Sequence, residues 1–194
     1  WVLEGASKEE YMATGAVAKK RGVELIELPG WTCCGASHVQ DIDPELTLAT
    51  NARNIAIAEE MGLPIMTVCN TCTLMLREAK EELDGSEKTK AKVNEILRKV
   101  DKEYKGTSDV THLLWFIIRD YGLDKLKEKV VKPLTGMRVG EYYGCHILRP
   151  QETMGFEDFA NPHSLQDIIE AIGATPINFS RQQDCCGFHA VYPA

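Results

Sequence analysis

The stretch Trp31-Thr32-Cys33-Cys34-Gly35 and its echo Asp184-Cys185-Cys186-Gly187-Phe188 decide how this chain is read. Each holds two adjacent cysteines and then a glycine. Each follows a short apolar run opened by a glycine, Gly22 before residues 23–28 and Gly173 before residues 175–179. Successive side chains of an extended chain point to opposite sides, so a vicinal cysteine pair is a poor core feature. It does place two thiolates around an object larger than one ion, and the glycine lets the backbone approach that object closely. Two such stretches in one chain point to an internal duplication.

The remaining cysteines fall into place around the pairs. Cys69 and Cys72 stand in Val68-Cys69-Asn70-Thr71-Cys72, after the apolar run 64–68, and Cys145 stands in Tyr142-Tyr143-Gly144-Cys145-His146. This reading sets all seven cysteines at strand ends followed by turns or helix starts, where α/β folds gather ligands. A helix N-terminus also stabilises a thiolate.

Together these stretches resemble the cysteine-rich CCG domain family, found in the B-type component of heterodisulfide reductase and in the related E-type component of succinate dehydrogenase. The resemblance covers essentially the whole chain. It rests on Leu28-Pro29-Gly30-Trp31-Thr32-Cys33-Cys34-Gly35, Cys69-Asn70-Thr71-Cys72, Tyr142-Tyr143-Gly144-Cys145 and Asp184-Cys185-Cys186-Gly187-Phe188-His189. It implies a redox subunit with cysteine-ligated iron–sulfur clusters: in the second repeat the unusual noncubane [4Fe–4S] kind held by five cysteines, in the first the same kind or an ordinary cubane. The first repeat supplies Cys33, Cys34, Cys69 and Cys72, with Trp1 or Val2 where a leading cysteine is expected. The second supplies Cys145, Cys185 and Cys186. The expectation is therefore a chain truncated at both ends. Its natural form would carry a cysteine near or before Trp1, and a helix, a strand and a Cys-x-x-Cys beyond Ala194.

Composition sets the outer limits. With 194 residues, 44% hydrophobic and 26% charged, the chain has the balance of a globular protein of one large domain or two small halves. A net charge of −7 argues against a nucleic-acid partner. No apolar run approaches the roughly 20 residues of a membrane helix. Clustered cysteines, odd in number, suit a cytosolic metal or redox site better than a disulfide framework.

Along the chain, Ser7-Lys8-Glu9-Glu10 reads as a capping box opening a helix that Gly22 closes. Residues 23–28 read as a buried strand. Asp43-Pro44 starts a helix that Gly62 stops, residues 64–68 read as a strand, and residues 73–83 as a helix. Residues 86–105 read as a solvated helix with Val93, Ile96, Leu97 and Val100 on its buried stripe. The apolar run 113–118 reads as a buried linker helix, with a docking surface as the alternative. Residues 137–143 and 175–179 read as strands, 152–162 as a loop, and Ser164-Leu165-Gln166-Asp167 as a second capping box. The fold class expected is α/β. Two similar small units with mostly parallel sheets, at 1–85 and 133–194, are related by a pseudo-two-fold axis and joined by a helical linker at 86–132.

Thiolate sulfur suits iron–sulfur clusters and zinc alike, so zinc in the first unit stays open. His146 and His189 are candidates to donate a proton or hydrogen bond to a cluster sulfur or a bound thiol, and His38 has an equivalent neighbourhood. His112 and His163 read as ordinary residues at helix starts, and Tyr142 and Tyr143 as strand core and rim. The function expected is an electron-transfer subunit of a heterodisulfide reductase-like or succinate dehydrogenase/fumarate reductase-like complex. Its partners would be other redox subunits, with a disulfide or quinone as substrate. It would be cytoplasmic, or held at a membrane by those subunits without a transmembrane helix. The alternatives are a zinc-bound structural or interaction module and a thiol–disulfide oxidoreductase using Cys69 and Cys72.

Overall fold

The computed structural model describes residues 7–36 and 38–187. The fold is α/β, with helices packed around two small parallel sheets. Strand β1 (Ile65–Thr67) pairs with β2 (Val110–His112), and β3 (Arg138–Val139) pairs with β4 (Thr175–Pro176). Parallel pairs need long crossovers. Here helices α4 (Asn70–Gly85) and α5 (Glu87–Leu97) supply the first, and α9 (Ser164–Ala171), after the short α8 (Gln151–Met154), supplies the second. Helices α1 (Lys8–Arg21), α2 (His38–Ile42) and α3 (Pro44–Met61) precede β1.

Helix α3 follows its sequence signals closely. The Asp43 side chain accepts from Leu46 N–H at 2.9 Å, Pro44 occupies the first turn, and Gly62 closes the helix at φ 66°. The two capping boxes do not form. Ser7 makes no side-chain cap bond, and Ser164 is already inside its helix, its hydroxyl turned to Glu157. Glu157 instead accepts the His163 and Ser164 backbone N–H groups, doing the capping from the loop just upstream. Both helices still end near the expected glycines: Gly22 sits at φ 70° and Gly173 at φ 88°.

Four expectations are corrected. Residues 23–28 form no strand and are mostly exposed, Leu25 at 42% and Ile26 at 55%. Their apolar run is too short to tell a strand from an extended edge, and no neighbouring strand is placed to pair with them among the described residues. Residues 137–143 and 175–179 pair over only two residues each, and Pro176, with no N–H, marks an edge. On α5, Val93 and Leu97 are buried, but Val100 is 52% exposed, because the helix tightens into a 3₁₀ turn at Arg98–Val100 and leaves its stripe. Residues 152–162, read as loop, begin inside α8.

The segment between the repeats does more than link them. It supplies β2, then α6 (Leu113–Trp115), a π-helical stretch Phe116–Gly122 and α7 (Leu123–Glu128). In the apolar run 113–118, Leu114 and Trp115 are buried and the other four residues are partly so. Two cores result. Ala52 and Ile55 of α3 pack with Leu76 and Leu83 of α4, Val93 and Leu97 of α5, and Tyr104. Leu74 of α4, Leu114 and Trp115 pack with Tyr143, Ile147, Leu148 and Met154. Helix α4 thus belongs to both. Trp115 is clamped between a stacked Phe156 ring, centroids 5.3 Å apart, and the Arg77 guanidinium, 5.3 Å from its ring.

Candidate metal centre

The first cysteine site is built where β1 runs into α4. Cys69 is the residue before the helix, in extended conformation, and Cys72 lies in its first turn. A hydroxyl cluster fixes this corner: Thr73 donates to Cys69 C=O at 3.1 Å and meets Thr67 Oγ1 at 2.5 Å. Cys34 arrives from the other side and is buried, its Sγ 3.5 Å from Cys72 Sγ. Helix α3 holds the segment that carries it. Arg53 donates to Gly30 C=O at 2.9 Å. Asn54 bonds both the N–H and the C=O of Thr32, and fully buried Asn51 donates to Cys34 C=O at 2.9 Å. An extended segment without a partner strand is thus satisfied by amide side chains, which the accounting of buried backbone groups demands. The sequence reading does not single out these three residues. Their signal is the polar Asn51-Ala52-Arg53-Asn54 interrupting an otherwise apolar helix face.

The thiols are electrostatically unlike one another. Cys72 donates toward both Cys34 and Cys69, so its own proton is held and its pKa is pushed far up. That donation draws Cys34 down to about 7 against the opposing effect of burial, with help from Ala36 N–H. Cys69 falls to about 6, first through Cys72, then through the Cys72 and Thr71 N–H groups at the start of α4. Cys34 and Cys69 are therefore drawn toward ionisation while Cys72 is held toward its protonated form. Cys33 is exposed beside Cys34. Gly35, after the pair, sits at φ 75°, and a Cβ there would lie 3.2 Å from Val39 Cβ. The pair is followed by glycine because the chain turns left-handed there.

The second site is looser. Cys145 is half-buried, while Cys185 and Cys186 are exposed. Burial and then the hydrogen bond with Cys185 raise the Cys145 thiol. Gly187 repeats the left-handed turn at φ 78° and donates its N–H to Cys185 Sγ at 3.4 Å. Tyr143 N–H bonds Gln182 C=O at 2.8 Å, and the exposed Tyr142 hydroxyl donates to Asp184 C=O at 2.6 Å, tying 181–184 to the segment before Cys145. Tyr143 is buried and Tyr142 exposed, the reverse of the order expected of them, and neither lies in a strand, since β3 ends at Val139. The expectation that every cysteine ends a strand is corrected: Cys69 does, but neither vicinal pair directly follows one.

The sites face each other across α4. Thr71 Oγ1 lies 2.9 Å from His146 Nδ1, and Asn70 Nδ2 donates to Tyr143 C=O at 3.3 Å. One helical turn therefore carries Cys72 to the first site and grips the residue next to Cys145. His112 caps α6 by accepting from Leu114 N–H, and His163 precedes α9, both as expected of helix starts. Burial drives the His112 imidazole down to about 4. Helix α2 begins at His38. His189, with Phe188, lies outside the described residues.

The donors are all thiols, a set that suits an iron–sulfur group and zinc alike. Among the described residues, no set of three or more His, Cys, Asp or Glu side chains is placed to hold a single metal ion. The thiols nonetheless converge in two groups, several of them neighbours in sequence, which suits attachment to several metal atoms.

Known proteins share this pattern. A family model for the CCG cysteine-rich domain matches twice, at residues 2–77 and 139–194. The chain is 48% identical, over its whole length, to the membrane anchor component of an 8-methylmenaquinol:fumarate reductase of Wolinella succinogenes, covering 66% of that protein. It is 35% identical over 90% of its length to the B-type component of a ferredoxin/F(420)H(2)-dependent CoB-CoM heterodisulfide reductase of Methanosarcina acetivorans, covering 58% of it. It is 37% identical over 88% of its length to a protein of Archaeoglobus profundus that is itself described as like the B-type component of heterodisulfide reductase, again covering 58%. The chain thus spans roughly three-fifths of the length of these relatives. A crystal structure of a hypothetical protein from Helicobacter pylori shares the fold over 84% of the chain and 28% of its own, with a TM-score of 0.60 at 18% identity. With two matches that together take in most of the chain, and the cysteines of both gathered in space, this protein belongs to the CCG cysteine-rich domain family.

Proposed function

We propose that the chain is an iron–sulfur electron-transfer part of a multi-subunit reductase, of the fumarate reductase-like or heterodisulfide reductase-like kind. The observation that carries this reading is the convergence of Cys34, Cys69 and Cys72 at one helix start, with Cys33 beside them. The 48% identity along the whole chain favours the fumarate reductase-like branch. Cys33, Cys34, Cys69 and Cys72 would hold one cluster, and Cys145, Cys185 and Cys186 would contribute to a second. When bound, such a group supplies one-electron transfer.

The chain's own residues set the conditions. Two thiols already drawn toward ionisation lower the proton release that loading the first site requires. The α4 N-terminus offsets the negative charge of a thiolate-rich group. His146, held by Thr71, is the proposed proton or hydrogen-bond donor at the second site, and His189 is a second candidate. No helix among the described residues is long and apolar enough to cross a membrane. Membrane association, in this proposal, comes through partner subunits, and the substrate is a quinol or a disulfide.

The test is anaerobic purification followed by iron and acid-labile sulfide analysis and low-temperature electron paramagnetic resonance. A brown protein with iron and sulfide in similar amounts is expected. A colourless protein carrying zinc, or one carrying no metal after anaerobic reconstitution, would overturn the reading.

A further inference from the structure

Nearness in the chain would pair the cysteines of the first site as Cys33 with Cys34 and Cys69 with Cys72. The fold makes a different pair. Cys34 Sγ and Cys72 Sγ lie 3.5 Å apart although the two residues stand 38 positions apart in the chain. The sulfurs are already in contact, and a disulfide needs a further approach of only about 1.5 Å. Both ends are held for it. Asn51 of α3 grips the Cys34 carbonyl at 2.9 Å, and Cys72 is fixed in the first turn of α4, whose corner the Thr73 hydroxyl pins through Cys69 C=O at 3.1 Å.

The local pairs are at a disadvantage. Consecutive Cα atoms are about 3.8 Å apart, below the roughly 4.4 Å at which disulfides ordinarily begin, and Cys33 is exposed where Cys34 is buried. Cys69 is the stronger competitor for Cys72. It is exposed, so a bond from it would stay open to attack by other thiols, whereas a bond to Cys34 is sheltered. A bond to Cys34 also closes a far longer loop, which constrains the unfolded chain more. From this geometry we infer that Cys34 and Cys72 form a reversible disulfide in the metal-free chain, with a small disulfide such as oxidised glutathione as the oxidant.

The chemistry is two exchanges. Cys72, half-buried and the more accessible of the two, attacks one glutathione sulfur, forming a mixed disulfide and releasing the first glutathione thiol. Cys34 sulfur then attacks Cys72 sulfur, and the second glutathione leaves. Two protein thiols are oxidised, one glutathione disulfide is reduced, and the two protons end on the two glutathione thiols. The bond withdraws two of the four thiols proposed to hold the first cluster. It takes its meaning, though not its chemistry, from that proposal: a dithiol reductant must reopen the site before metal can enter. The same bond would fasten the 29–34 segment, which no strand pairs among the described residues, to α4.

The test is a peptide map. The full chain is freed of metal with a chelator, fully reduced, equilibrated with oxidised glutathione, blocked with N-ethylmaleimide and cut with trypsin. Cleavage after Arg21, Arg53 and Arg77 leaves Cys33 and Cys34 in the peptide 22–53, and Cys69 and Cys72 in the peptide 54–77. A Cys34–Cys72 bond joins these two peptides, whereas the two local disulfides leave them separate. The joined pair is expected to exceed both local products together by about tenfold. Cys34→Ser and, independently, Cys72→Ser should abolish it, while Cys33→Ser and Cys69→Ser should leave it. In concentrated urea the local products should take over, since only the fold brings Cys34 to Cys72. A Cys69–Cys72 or Cys33–Cys34 product dominating the folded chain would overturn the inference. So would free thiols throughout, a joined pair that survives Cys34→Ser or is lost in Cys69→Ser, or the same products with and without urea. None of these outcomes depends on the cysteines binding iron.

Discussion

The two vicinal cysteine pairs are nearly the same sequence and hold unlike positions. Cys34 is buried and its carbonyl is tied to a helix, while Cys185 and Cys186 are exposed and their segment is tied by backbone bonds near Tyr142 and Tyr143. The motif therefore fixes only the left-handed turn after the pair, at Gly35 and at Gly187. What turns a motif into a preorganised site is the neighbouring element. At the first pair that element is α3, with Asn51, Arg53 and Asn54 reaching across. Residues 184–187 have no helix reaching across in this way among the described residues, and the Tyr142 hydroxyl on Asp184 C=O holds only their start.

The largest effect expected from this contrast lies in metal content. Cys34→Ser should remove about half of the iron, by emptying the preorganised site, since serine oxygen is a poor ligand for these clusters. Cys186→Ser should empty only the second. The resonance of the surviving cluster tells the two apart, and iron content unchanged in both would reject the ligand assignment.

Next comes the scaffold. Asn51→Leu leaves the buried Cys34 carbonyl without its donor, at a cost of about 1–3 kcal/mol in thermal or urea unfolding. Iron should be lost from the first site and not the second. Equal loss from both would show that α3 stabilises the molecule as a whole.

The cluster-free protein should show the contrast in pH. Cys69 and Cys34 ionise near 6 and 7 when folded, below an unfolded thiol near 8.5, so the unfolded state binds more protons between those values. Stability from this source should be full near pH 9 and fade as pH falls through 7 and 6. Above pH 9 it should decline again, because Cys72 keeps its proton when folded. Alkylation by iodoacetamide, followed residue by residue, should modify Cys69 fastest at pH 7 and Cys145, whose thiol is raised, only in alkali. Equal rates at the two sites would remove the electrostatic half of the comparison.

The smallest effect tests the contact between the sites. Thr71→Val removes the hydroxyl that meets His146, at about 1 kcal/mol of stability. Iron content should hold, while the second cluster's reduction potential shifts. A shift confined to the first cluster would deny His146 its proposed role.

Much of this can be read from the chain. Asp43, Pro44 and Gly62 bracket α3 because each satisfies or ends a helix by local geometry alone, and local geometry is what sequence records best. The grouping of the cysteines is legible for a similar reason, since their residue types and spacing carry the chemistry. The Ser164 capping box fails because Glu157, a few residues upstream, takes the N–H groups that the box would have shared. The strand expected at 23–28 fails because burial depends on a neighbour that the run itself cannot name. The strand in the linker escapes notice for the opposite reason: residues 110–112 are too few to show a period, and they become a strand only because β1 lies beside them.

Helix α4 has one further implication. Tandem repeats are commonly portable, each able to be cut out and moved. Here the helix that carries Cys72 also lends Leu74 to the other core, sends Arg77 to Thr153 C=O at 2.7 Å and receives the Thr153 hydroxyl on Glu81. The second repeat keeps no private interior. Any exchange of one half between relatives must bring α4's partners with it, so the two halves are bound to change together.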